Sequence, residues 1–97
     1  MPELAGEWNV RRTGGLLPPL FGVRKRINGA SGATIIGTRA IGVPFDVVGL
    51  ELRYRLPFRG FVDVLIPDGE RFRGRATFRG REFGRFELTR TDGNPAV

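Results

Sequence analysis

Four polar side chains stand where an alternating strand pattern asks for apolar ones, and any chemistry of this chain starts with them. Arg12 shares a strand face with Trp8 and Val10, and Lys25 with Phe21, Val23 and Ile27. Tyr54 falls in phase with Leu50, Leu52 and Leu56, and Arg90 with Phe86 and Leu88. A cation taken out of water is costly unless it is paired or hydrogen-bonded. Such a set therefore either meets an anion or sends its charges back to solvent on long stems. Arg12 and Lys25 lie near strand ends, where the second outcome is the plain alternative. The available chemistry is recognition by charge and hydrogen bonding.

Bond-making has little to work with. The 97-residue chain contains neither Cys nor His. That removes disulfides, thiolate nucleophiles and His-based triads, and leaves no ordinary ligand set for structural zinc or haem. Ser31 is the only serine and lies in a turn. Asp46, Glu51 and Asp63 are carboxylates whose spacing sets no two of them across a shared pocket. Asp68-Gly69-Glu70 and Asp92-Gly93-Asn94 are too short for a calcium loop, and no glycine-rich phosphate loop precedes a helix. No catalytic residue, metal or cofactor is expected, and the reading leans away from an enzyme.

The elements that must position those four residues are strands. Turn signals recur at Gly14-Gly15, Asn28-Gly29, Gly42-Val43-Pro44, Pro57 to Gly60, Pro67-Asp68-Gly69 and Gly80-Arg81. Spacing of this kind belongs to all-β sandwiches and barrels. Between the turns, apolar and charged residues alternate with period two, the mark of one buried and one wet face. Phe72, Gly74, Ala76 and Phe78 oppose Arg71, Arg73, Arg75, Thr77 and Arg79, and Gly84, Phe86 and Leu88 oppose Phe83, Arg85 and Glu87. No run holds a helical period without Gly or Pro breaking it. Strands are expected near 5–13, 21–28, 32–39, 43–48, 49–56, 60–67, 70–79 and 82–91, with Gly49 marking a bulge or kink. Seven or eight such strands can close into a small antiparallel up-and-down β-barrel, with an interior wide enough for side chains or one small ligand. The fold class is all-β, a single domain over 1–97 with its core at about 4–91 and a tail at 92–97.

Phe61 to Ile66 departs from the pattern because both faces are apolar. Turning Val62, Val64 and Ile66 inward keeps Asp63 in water, and that phase is preferred. The second apolar face then suggests a covering partner, such as a homodimer through the 61–66 strand.

Gly6-Glu7-Trp8 on the first strand resembles the Gly-X-Trp signature of the calycin superfamily, the lipocalins and fatty-acid-binding-like barrels. The resemblance implies that Trp8 sits at the closed end and that Arg90, near the end of the last strand, packs across its ring. A guanidinium over an indole contributes ~0.5–2 kcal/mol. The Thr-Asp-Tyr motif and terminal helix of classical lipocalins are absent, and the chain is short. By the same resemblance, Arg12, Lys25 and Tyr54 would hold the anionic end of a ligand, with Val10, Phe78 and Phe86 beside it. The apolar loop carrying Leu16, Leu17 and Leu20 would cover the open end, as a lid hinged at Gly14-Gly15 or as a fixed plug.

Net charge is +6, with 15 Arg and one Lys. A basic chain invites a nucleic-acid reading, but the arginines of 71–90 face away from the phenylalanines, and only Phe83 shares their side. No apolar run approaches the ~20 residues of a membrane helix, and no leader pattern is visible. The expectation is a cytoplasmic barrel that binds a small apolar or amphipathic, anionic ligand, with no membrane partner. A basic adaptor for nucleic acid and a side-chain-filled barrel acting in subunit association are the other two readings.

Overall fold

Period-two alternation with tight turns leaves each strand one apolar face to bury, and closing the sheet on itself buries all of them without leaving an edge. The computed structural model describes residues 3–17, 22–39 and 41–91 and takes that solution. Eight strands follow one another around a closed antiparallel barrel. They are β1 (Gly6–Gly15), β2 (Val23–Asn28), β3 (Ser31–Ile36), β4 (Ile41–Val48), β5 (Glu51–Tyr54), β6 (Phe61–Asp68), β7 (Arg71–Phe78) and β8 (Arg81–Arg90). Each pairs with the next, and β8 returns to β1 with Trp8 opposite Arg90. The described residues contain no helix. Leu20 of the expected lid and the expected 92–97 tail lie outside the described residues.

Because the strands alternate in direction, every connection that follows an odd-numbered strand lies at one end. That end, the rim, carries the connections after β1, β3 and β5 and the Arg79-Gly80 hairpin. The other end, the base, is closed by the two-residue turns Gly29-Ala30, Gly49-Leu50 and Gly69-Glu70. Gly49, expected to mark a bulge, is the first loop residue of the β4–β5 hairpin at φ +61°, with Val48 paired to Glu51 across it. The β2–β3 turn falls one residue later than Asn28-Gly29, since Asn28 still pairs with Ser31. Toward the base the interior is solid. Trp8, Phe45, Leu52, Leu65, Phe72 and Leu88 are all fully buried there, and Trp8 meets Phe72 edge-on at 5.3 Å.

Two phases differ from the sequence reading. In β6, Asp63 and Leu65 point inward, while Val62 and Val64 are half-buried on the outer side and Ile66 is exposed. Asp63 faces Leu52 on β5 and Ala76 on β7, both core positions. The preference for Asp63 in water fails because a buried cation is waiting for it. Between β7 and β8 the register slips, with Ala76 opposite Gly84 but Thr77 opposite Glu82. Phe83 is the extra residue of this bulge, and a bulge resets alternation beyond it. Thr77, opposite Val62, is buried and donates to the Val62 carbonyl at 2.7 Å. Phe83, expected among the outer arginines, turns in, while Phe78, expected inside, stays opposite Phe61 at the rim end of β7, exposed and outside the cavity.

Candidate functional site

Four strands bring one polar cluster into the barrel. Lys25 on β2 is directly opposite Thr34 on β3, Tyr54 ends β5, and Asp63 lies on β6. The Lys25 ammonium donates to Thr34 Oγ1 at 2.7 Å and Tyr54 Oη at 2.7 Å, and lies 2.9 Å from Asp63 Oδ2. An ammonium has three protons to donate, and three acceptors take them. Tyr54 also donates to Asp63 Oδ2 at 2.9 Å, and its oxygen lies 2.6 Å from Thr34 Oγ1. With the tyrosine proton on Asp63, the threonine donates to the tyrosine and the ring of bonds closes. Around it the ammonium sits 5.4–5.6 Å from the ring centroids of Phe45, Tyr54 and Phe86, whose faces attract a cation.

The electrostatics follow from that enclosure. Burial by itself lowers the Lys25 pKa, but the Asp63 carboxylate and then Tyr54 outweigh it and hold the ammonium above its ordinary value. Burial raises the Tyr54 pKa, partly offset by the Lys25 charge. Lysine and tyrosine are thus both protonated across the neutral range, and Lys25 with Asp63 forms a net-neutral pair. No buried side-chain polar atom among the described residues lacks a partner.

The cluster forms one wall of a cavity of about 290 Å³ on the rim side of the packed core. Val10, Val23, Val43, Phe61, Ala76 and Phe86 make the apolar wall, and Leu17, Ile36, Phe58 and Phe83 surround the approach from the rim. Cavity volume is about twice the ~150 Å³ that holds a benzene and close to the lower end of small-molecule sites. Leu17 is seated over Gly84, where even a Cβ would collide with it. Leu16, its neighbour, is exposed, and its amide donates to the Phe83 carbonyl at 2.7 Å.

Of the residues singled out in the sequence, Val10, Lys25, Tyr54, Phe86 and Leu17 line the cavity. Arg12 does not. It is exposed, donates to the Gly15 carbonyl at 2.7 Å, and sits next to the β1 register shift at Arg12–Gly14 that ends the inward phase. Phe78 is likewise outside the cavity, at the rim end of β7, with its ring 4.6 Å from that of Phe61 and under the Arg79 guanidinium at 5.3 Å. Sequence reasoning passed over Thr34 and Asp63. A signal for Asp63 was present, since an inward Lys25 needs a counter-ion and the 61–66 strand leaves the phase open.

At the closed end, the Arg90 guanidinium lies 4.2 Å from the Trp8 ring centroid and donates to the carbonyls of Ala5 and Glu3. Trp8 Nε1 donates to the Leu4 carbonyl at 2.9 Å. Gly6 has φ +125°, and a side chain there would run into Arg90. Glycine, tryptophan and arginine therefore form one packed unit. On the outer wall, carboxylates bridge pairs of arginines: Glu87 takes Arg11 and Arg71, Glu7 takes Arg24 and Arg26, and Glu82 takes Arg75 and Arg85. Hydrogen bonds from these arginines hold Glu82 and Glu87 below the usual carboxylate range. Comparisons with protein-family models, curated proteins and solved structures give no significant match.

Proposed function

We propose that this chain is a small calycin-like barrel that binds a neutral amphipathic molecule in its rim-side cavity. The observation that carries the reading is a largely apolar 290 Å³ space whose one polar wall is already charge-balanced. An anionic ligand end, the expectation from sequence, has less to gain. Arg12 is outside, all three Lys25 donors are used, and a carboxylate would approach Asp63 as well as Lys25. Both hydrogen bonds to Asp63 fall on Oδ2, which leaves Oδ1 as acceptor for a donor group on the ligand. A hydroxyl or primary amide on a short apolar body meets that requirement. The Gly6–Trp8–Arg90 unit and the up-and-down order of eight strands support the calycin comparison.

The test is the melting temperature in the presence of medium-chain alcohols and of the matching carboxylates. Alcohols should raise it and carboxylates should raise it less, with both effects reduced when Phe83→Trp fills the cavity. A larger shift from the carboxylates would restore the anionic reading. No shift from either series at any chain length would leave a filled barrel acting through its surface.

A further inference from the structure

We propose that the rim of the barrel is a docking surface for an anionic lipid bilayer. The rim collects what the rest of the molecule avoids. Eight large apolar side chains are exposed among the described residues, and six of them are at this end: Leu16, Ile36, Ile41, Leu56, Phe58 and Phe78. Leu16 is 87% exposed and Leu56 75%. Their places follow from topology alone. Ile36 and Phe78 finish odd strands, Ile41 begins an even one, and Leu16, Leu56 and Phe58 lie in the connections between. The other two, Val48 and Ile66, belong to the opposite half.

Charge separates the same way. Arg12, Arg39, Arg59, Arg79 and Arg81 are all exposed and stand in or beside the rim connections. None of the five is in an ion pair among the described residues, whereas the wall arginines are bridged in twos by Glu7, Glu82 and Glu87. Glu3, Glu51, Asp68 and Glu70 lie toward the base, and Glu82, near the rim, is taken up by Arg75 and Arg85. Apolar side chains ringed by unneutralised cations match a bilayer surface, where acyl chains accept the first and phosphate groups the second. Four of the six, including the two most exposed, are aliphatic, which suits acyl chains, and only Phe58 and Phe78 offer rings on which a nucleobase could stack. The expected lack of a membrane partner rested on the want of a spanning segment, which bears on crossing a bilayer and not on docking to one.

Docking shares Ile36 and Phe58 with the approach to the cavity but needs no ligand inside, and would survive an empty cavity. The experiment is co-sedimentation of the protein with phosphatidylcholine vesicles, with and without phosphatidylglycerol, over a range of salt. Binding should need the anionic lipid and weaken as salt rises. Arg39→Gln and Arg59→Gln should each weaken it about fivefold, and Leu16→Ser with Leu56→Ser about tenfold. Val48→Ser and Ile66→Ser, exposed at the other half, should leave it unchanged. All of these side chains are exposed, and the arginine and leucine sets are made separately so that each tests the surface alone. Equal binding to both vesicle types, no binding to either, or rim variants matching the parent would overturn the proposal. So would concentration-dependent dimers abolished by the leucine changes, which would make a second copy the occupant, or single-stranded RNA binding that persists at physiological salt.

Discussion

Lys25 Nζ lies 2.9 Å from Asp63 Oδ2, with the two side chains only 4% and 10% exposed. Breaking such a pair from one side leaves an uncompensated buried charge, at about 3–5 kcal/mol. Lys25→Met and Asp63→Leu should therefore each be strongly destabilising in urea titration. The double variant should recover most of the loss, because two apolar groups leave nothing unpaired. Additive losses in the double variant would mean that the pair is not coupled.

Asp63→Asn keeps the shape and removes the negative charge, so Lys25 is left as an unneutralised cation facing the cavity. Medium-chain carboxylates should now raise the melting temperature more than the alcohols do, reversing the order expected for the parent. An unchanged order would show that the ligand end does not reach this wall.

Alkaline pH should weaken the fold at a defined place. The folded Lys25 pKa is raised, and so is that of Tyr54. A raised folded pKa contributes stability that is complete below the unfolded value and lost as pH climbs through the folded one. Stability should thus hold through neutral pH and fall above about pH 10, and Lys25→Met with Asp63→Leu should flatten that fall. A parent whose urea midpoint is constant up to strong alkali would contradict it.

Arg90→Ala should cost at least the ~0.5–2 kcal/mol of a cation–π contact, plus the bonds to two carbonyls, and should shift Trp8 emission. Arg90→Lys should recover little, because one ammonium cannot cover the ring and reach both carbonyls. Gly6→Ala should resemble Arg90→Ala in both readouts, since its side chain would displace the guanidinium.

Phe83→Ala should destabilise more than Phe78→Ala. Phe83 packs into the cavity wall and edge-on to Phe61 at 5.9 Å, while Phe78 is 38% exposed. The reverse order in denaturant midpoints would place the bulge elsewhere.

By itself the sequence determined an all-β up-and-down barrel of seven or eight strands, because period two is a local property and each turn carries its own chemistry; the count of eight came from the structure. Alternation also sufficed to send Lys25, Tyr54, Phe86 and Val10 inward, since nothing interrupts the phase between them and their strands' other core residues. Three things were decided only by the tertiary structure. Alternation counts along one strand with no residue to spare, so it is blind to an insertion, and the extra residue Phe83 turned inward where the count had set it among the outer arginines. A strand apolar on both sides has no local reason to choose a face; Asp63 went inward because Lys25, distant in sequence, had already been buried across the barrel. And Arg12, in phase on paper, is the last residue before its strand's register shifts, so its charge reaches water at the rim, where solvation is cheapest.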